Sequence, residues 1–288
     1  MKIIFFGTPD YIIPILASLN KRYNWTNHKE LEAVVTQAPK EANRGHFKSY
    51  SAVDKFAHNH KMDIYYDSNE IEEADLGIVA AYGKIIPESV INKFKLGILN
   101  IHPSLLPKYR GASPIQSAIK DGESQTGVTI IKMDKEMDHG PIVSQLKEEI
   151  KDDDTNETLR DRLFEKASVF LIELIPNYVN GKIKPREQDH KKATFTKLIT
   201  KKDGFINPKD ILKPSLSSNL HNLIRAMYPW PGAWTFVNLA ENKDSKILKV
   251  LKSHIEDKKL ILDEVQLEGK NKVSFKQFKE GHPNFKFE

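Results

Sequence analysis

Asn100 and His102 stand two residues apart at the end of an apolar run, and together they can do chemistry. Side chains on a strand alternate faces, so both project to one side. The amide can donate a hydrogen bond to a developing oxyanion, and the imidazole can manage a proton. Downstream, the turn Asp138-His139-Gly140 offers a carboxylate that can be set against His102. A carboxylate beside an imidazole fixes its tautomer and orients the ring. Asn100, His102 and Asp138 form an acyl-transfer set without a nucleophilic Ser or Cys. Such a set suits a substrate that brings its own nucleophile, for example an amine. Two points stay open in the sequence. His139 can be the partner of Asp138 instead, and Arg110 can either position the loop or substrate or make a surface ion pair.

These residues need a scaffold, and the hydropathy pattern describes one. Strand signals fall at residues 3–6, 32–36, 63–66, 76–81, 96–101, 127–133 and 142–149, with helical spacing at 11–21, 51–60, 89–94, 113–121 and 155–180. Strands alternating with helices predict an α/β fold: a Rossmann-like, doubly wound, mostly parallel sheet. Pro176 inside the last helical window is expected to end or kink it. Residues 181–204 are Lys-rich with few apolar positions and read as a linker. A helix at 217–227 and strand signals at 234–239, 246–255, 259–265 and 275–278 predict a small C-terminal β-barrel, OB-like. The expected domains are therefore 1–180, the linker 181–204, and 205–288.

Composition narrows the classes. The 288 residues contain no cysteine, which excludes disulfides, thiolate metal sites and a Cys nucleophile and suits a cytoplasmic protein. No apolar run approaches the ~20 residues of a membrane span, and the short N-terminal apolar stretch reads as a first strand rather than a signal peptide. His102, Asp138 and His139 lack the tight ligand spacing of zinc sites, so no metal is expected. The single Gly7 is no dinucleotide fingerprint. The net charge of +5 is uneven: residues 1–180 hold 22 Lys+Arg against 26 Asp+Glu, and the remaining residues hold 22 against 13. A basic second part predicts a polyanionic partner.

The stretches NIHPSLLPKYRGASPIQSAI, from Asn100, and TGVTIIKMDKEMDHGPIV, from Thr126, resemble the folate-dependent formyltransferase family. So do the blocks Phe6-Gly7-Thr8-Pro9-Asp10, the run from Ala80 to Pro87, and Pro229-Trp230-Pro231-Gly232. The resemblance implies Asn100, His102 and Asp138 as the catalytic triad and 10-formyltetrahydrofolate as co-substrate. It places the folate against Ala81, Tyr82, Gly83, Ile85, Ile86 and Pro87 and against the loop Ser104, Leu105, Leu106 and Pro107. It implies as acceptor the α-amino group of methionine on initiator methionyl-tRNA, with Lys40, Arg44 and Lys48 in a loop on the nucleic acid. The loop departs from the family's basic run at Glu41 and His46. The resemblance also implies a C-terminal domain that helps hold the tRNA, and a monomer is expected. The alternative acceptor is an amino-sugar nucleotide, which would use the same donor and triad.

Overall fold

The computed structural model describes residues 1–25, 28–42, 47–239 and 245–287. The chain packs as two compact units. One comprises Met1–Arg110, Gly127–Glu148 and Arg160–Phe195; the other comprises Gly111–Thr126, Glu149–Leu159 and Thr196–Glu288.

The first unit is built on a seven-stranded sheet. In chain order its strands are β1 (Ile3–Gly7), β2 (Leu31–Val35), β3 (Asp63–Tyr65), β4 (Leu76–Ala80), β5 (Ile98–His102), β6 (Gln125–Lys132) and β7 (Ile142–Glu149). Their order across the sheet is β7-β6-β5-β4-β1-β2-β3. β1 runs parallel to β2 and β4, β2 to β3, and β4 to β5, whereas β6 is antiparallel to β5. Every residue of β1 and β4 is buried. That is why these strands read as unbroken apolar runs: helices cover both faces of a parallel sheet. The chain winds outward one way through β1, β2 and β3, then returns to β4 and β5 on the other side. The strand order therefore reverses between β1 and β4, and in such sheets ligands bind outside the carboxyl ends of the strands at that point.

The helices follow the sequence spacing to within the usual end-fraying. They are α1 (Ile13–Tyr23), α2 (Ala52–Asn59), α3 (Glu88–Ile91), α4 (Pro114–Lys120) and α5 (Asn156–Val179). Ser51 caps α2 by accepting from the Asp54 amide at 3.0 Å. α5 continues through Pro176 rather than ending there. It is fixed to the sheet by charge: Glu148 on β7 accepts from Arg162 Nε at 2.9 Å and from Lys166 Nζ. Burial opposes the Glu148 charge, but Lys166 and Arg162 more than offset it and hold the carboxyl below its ordinary value. A depressed folded-state pKa stabilises above the unfolded glutamate range, and the gain is lost as pH falls through the folded pKa. We expect Glu148→Gln to destabilise by about 1–3 kcal/mol at neutral pH. Urea midpoints of variant and parent should converge as the pH is lowered below the glutamate range; a constant gap would remove Glu148 as the cause.

In the second unit, α6 (Ser217–Met227) packs on a five-stranded antiparallel sheet of β8 (Ala233–Asn238), β9 (Lys246–Glu256), β10 (Lys259–Leu267), β11 (Lys272–Ser274) and β12 (Lys286–Phe287). Ile224, Ala233, Val250 and Leu262 meet in its core. The expected strand at 275–278 is instead the helix α7 (Phe275–Gly281). The reason is a capping box: Ser274 Oγ accepts from the Gln277 amide at 3.2 Å while the Gln277 side chain accepts from the Ser274 amide at 3.1 Å. Phe275 and Phe278, three residues apart, then share one helical face, and Phe278 packs on Val237, Leu248 and Val265.

Candidate active site

β5 carries Asn100 and His102 to the carboxyl edge of the sheet, and Asn100 pairs in register with Ile131 on β6. Both side chains meet the same carboxylate. Asn100 Nδ2 donates to Asp138 Oδ1 at 3.1 Å, and His102 Nδ1 lies 3.5 Å from the same oxygen. His102 is 4% exposed and the Asp138 side chain 11%. The structure thus brings the three sequence-derived residues together, and it separates out His139. That ring turns away to Asp134, with Nδ1 2.6 Å from Asp134 Oδ2, so it is not the partner of Asp138.

The ring of His102 has a second anchor that sequence reasoning missed. Its Nε2 lies 2.9 Å from the Tyr109 carbonyl oxygen. A carbonyl can only accept, so Nε2 carries a proton and the ring is oriented from both ends. No residue type predicts this contact, because it uses backbone at Tyr109, whose φ is +62°. The strand-to-loop turn is braced further by Thr129 on β6. Its hydroxyl donates to the Ser104 carbonyl at 2.6 Å and accepts from the Leu106 amide at 3.1 Å. Gln145 on β7 adds Nε2 contacts of 2.9 Å to both the Leu106 carbonyl and the Thr129 hydroxyl. The Leu106-Pro107 peptide is cis.

Arg110 is 4% exposed, which removes the reading of a surface ion pair. Its guanidinium holds the Gln188 side-chain oxygen through Nε at 3.2 Å and Nη2 at 2.7 Å, and Nη2 also reaches His190 Nδ1 at 2.8 Å. The stretch expected to be a linker therefore supplies a buried polar side chain, Gln188, to this region. The Tyr109 amide is tied into the same stretch by Thr194 Oγ1 at 2.8 Å.

The residues expected to meet a folate divide into two groups. After β4, Tyr82 (3% exposed) and Ile86 (6%) belong to the core around Phe6, Val79 and Phe94. Burial pushes the Tyr82 phenol above its ordinary value, so it stays neutral. The Tyr82 carbonyl accepts from Thr8 Oγ1 at 2.9 Å and from Gln37 Nε2 at 3.2 Å, which ties the carboxyl ends of β1, β2 and β4 together. Gly83 and Ile85 face solvent, Ile85 at 85% exposure, and Ala81 and Pro87 are half-buried. In the second loop Ser104 is fully buried and its hydroxyl donates to the Lys108 carbonyl at 2.7 Å. Leu106 packs on Ile131 and Ile142. Leu105 and Pro107 are half-buried. The side chains of Tyr82, Ile86, Ser104 and Leu106 are thus spent inside the unit. These four side chains are buried, and apolar pattern alone does not tell a pocket lining from a core.

Lys40 and Lys48 are exposed on a short antiparallel ribbon of Lys40–Ala42 and Phe47–Ser49, where Glu41 stands opposite Lys48. Arg44 lies outside the described residues. Among the described residues no cluster of three His, Asp or Glu side chains is arranged to hold a metal ion, and no helix is long and apolar enough to cross a membrane.

Comparison with known proteins adds to this geometry. Residues 1–175 match the formyl transferase family, and residues 199–260 match the formyl transferase C-terminal domain. A methionyl-tRNA formyltransferase from Thermotoga maritima is 36% identical, with 98% of this chain and 95% of that protein covered. One from Caldanaerobacter subterraneus is also 36% identical, covering 88% of this chain and 81% of that protein. Among solved structures, methionyl-tRNA formyltransferase from Clostridium thermocellum shares the fold at a TM-score of 0.60, with 19% identity and 93% and 98% of the two chains covered. The N-formyltransferase from Helicobacter canadensis, in complex with folinic acid and dTDP-3-aminofucose, shares it at 0.66, with 19% identity and 89% and 88% coverage.

Proposed function

The chain belongs to the formyl transferase family, and within it we propose that the protein carries the formyl group of 10-formyltetrahydrofolate to the α-amino group of methionine on initiator tRNA. The observation that carries this reading is the convergence of Asn100, His102 and Asp138 on one carboxylate oxygen at the carboxyl end of β5. They form a set that stabilises an oxyanion and moves a proton but holds no nucleophile of its own. The identity to methionyl-tRNA formyltransferases over nearly the whole chain supports the choice of acceptor.

In this mechanism the neutral methionyl amine attacks the formyl carbon, and the carbonyl electron pair moves onto oxygen. One Asn100 Nδ2 hydrogen is used on Asp138; the other serves the oxyanion, together with the His102 ring. As the tetrahedral species collapses, the bond from carbon to the folate nitrogen breaks and its pair stays on that nitrogen. That nitrogen takes up the proton that the attacking amine loses. His102 Nε2–H, having exchanged the Tyr109 carbonyl for the substrate, gives its hydrogen to the folate nitrogen and then takes up the one the amine loses, so the ring ends as it began, while Asp138 keeps it aligned. The pterin lies against the backbone and exposed apolar atoms of residues 81–87, with Gly83 and Ile85 accessible.

The direct test is transfer of labelled formyl from 10-formyltetrahydrofolate to initiator methionyl-tRNA. An uncharged tRNA, an elongator methionyl-tRNA and an amino-sugar nucleotide are offered in parallel. Formylation of the sugar in preference to the charged tRNA would replace this reading with the alternative. Arg44→Ala should raise KM for the charged tRNA and flatten its log–log salt dependence by about one unit, with turnover at saturation retained. An unchanged salt slope would remove Arg44 from the tRNA interface.

A further inference from the structure

We propose that Gln188 is a positioning residue for the reaction: its side-chain amide clamps the 138–140 turn and so fixes the Asp138 carboxylate against Asn100 and His102. The proposal rests on the reading of this site as a formyl transfer centre, and it concerns a residue in the stretch that sequence alone reads as a linker. Gln188 Nε2 donates to three successive carbonyls, those of Asp138 at 2.9 Å, His139 at 3.0 Å and Gly140 at 2.8 Å. Its other end, Oε1, is held by Nε and Nη2 of Arg110.

The orientation of this amide is decided by chemistry. A guanidinium only donates and backbone carbonyls only accept, so the oxygen must face Arg110 and the nitrogen must face the turn. Both residues are buried, Gln188 at 5% and Arg110 at 4% exposure, so water does not compete for these groups.

The turn needs such a clamp. Asp138 has a φ of +50°, a left-handed conformation that a residue with a Cβ adopts only where its surroundings impose it. Three carbonyls gathered within 3.0 Å of one nitrogen also repel one another, and the two hydrogens of the amide NH₂, one of them shared between two carbonyls, offset that repulsion. The other side of the turn is held by ring stacking. His139 and His190 lie parallel, with centroids 4.1 Å apart and planes at 5°; His139 is bound to Asp134, and His190 to Arg110. Arg110 thus orients Gln188 directly and His190 beside it. Asp138, the one residue of the turn that reaches Asn100 and His102, sits between these restraints.

Gln188→Glu tests this with nearly the same shape. It keeps an acceptor toward Arg110 but turns an oxygen, with no hydrogen to give, onto the three carbonyls. Gln188→Met and Gln188→Asn serve as further variants, one without polar groups and one shortened by a methylene. The first readout needs no substrate: side-chain ¹⁵N NMR of His102 in the full-length protein. In each folded variant the His102 signals should move toward those of Asp138→Asn, which lacks the carboxylate by construction.

The second readout is kinetic. Gln188→Glu should lower kcat roughly 10- to 100-fold with KM for donor and acceptor within about twofold, as a displacement of about 1 Å at a catalytic group would. In an Asp138→Asn background the same change should cost less than about twofold, because a residue acting through Asp138 has nothing left to position. Unchanged His102 signals would overturn the proposal, and so would an equal loss of kcat in both backgrounds. A parent protein that transfers no formyl group would sink the proposed function alone, and the NMR comparison would still decide the role of Gln188.

Discussion

Asn100→Ala should lower kcat for formyl transfer by roughly 10²- to 10³-fold while leaving KM for both substrates nearly unchanged, since loss of one oxyanion donor typically costs about 2.7–4 kcal/mol of barrier. The geometry explains why the loss falls on kcat. Asn100 Nδ2 is pinned to Asp138 Oδ1, so its remaining hydrogen has a fixed direction before any substrate arrives. A preorganised donor acts on charge that develops only in the transition state, and binding of the ground-state formyl group gains little from it. Asn100 is only partly buried on a strand whose Ile98, Leu99 and Ile101 anchor the backbone, so truncation spares the fold. Single-turnover rates and melting temperatures of parent and variant check both halves of the claim. A loss confined to KM, or smaller than about tenfold, would assign Asn100 to substrate binding. Asn100→Asp keeps the size but replaces the donor with a repelling charge, and it should be no better than the alanine variant.

Gly140→Ala should be nearly as damaging to turnover, because it displaces the turn that carries Asp138. A Cβ built on Gly140 would lie 1.9 Å from the Lys132 carbonyl oxygen and 3.0 Å from its carbon. Both obstacles are backbone at the end of β6, so no side-chain rotation relieves the clash. To reach ordinary van der Waals contact the turn must move by more than 1 Å, and Asp138, two residues away, moves with it. Displacement of that size costs on the order of 10²-fold in rate even when it originates away from the chemistry. It also disturbs the contact of Gly140 O with Gln188, so we expect a stability loss of about 1–3 kcal/mol. Chemical denaturation and transfer kinetics at saturating substrates measure the two effects. Parent-like kcat in Gly140→Ala would mean that the turn tolerates displacement and that Asp138 needs no exact placement.

Much of the catalytic unit is legible in the chain because strand period and local order travel together. Asn100 and His102 share a face for the simple reason that they are two residues apart on a strand, and the structure keeps both on β5. The alternation of apolar runs with helical spacing likewise prescribes a parallel, doubly wound sheet, and the burial of β1 and β4 accounts for their composition. The helix α7 was also within reach of the sequence, since Ser274 and Gln277 have capping-box spacing. Aromatic content at 275–278 favours a strand on propensity, and the local hydrogen bonds of the cap prevail over it.

Other features could not be read because they depend on groups that carry no sequence signal. The Tyr109 carbonyl that anchors His102 and the three carbonyls held by Gln188 are backbone, present at every position and distinguished only by conformation. Arg110 is a typical surface residue by type and is buried here because Gln188 and His190, some 80 positions on, complete its hydrogen bonds. Tyr82 and Ile86 show the converse: apolar residues in a loop that looks like a ligand wall prove to be part of the core.

What the sequence determined by itself was the set of side chains that meet at the site, the face on which two of them stand and the sheet that presents them. These follow from side-chain chemistry and from periodicities of a few residues. What only the tertiary structure decided was which carboxylate serves which imidazole. Asp138 and Asp134 are both close to His139 in the chain. The choice between them is made by a left-handed turn at Asp138 and by a buried amide from residue 188, and long-range packing of that kind leaves no periodic trace in the order of residues.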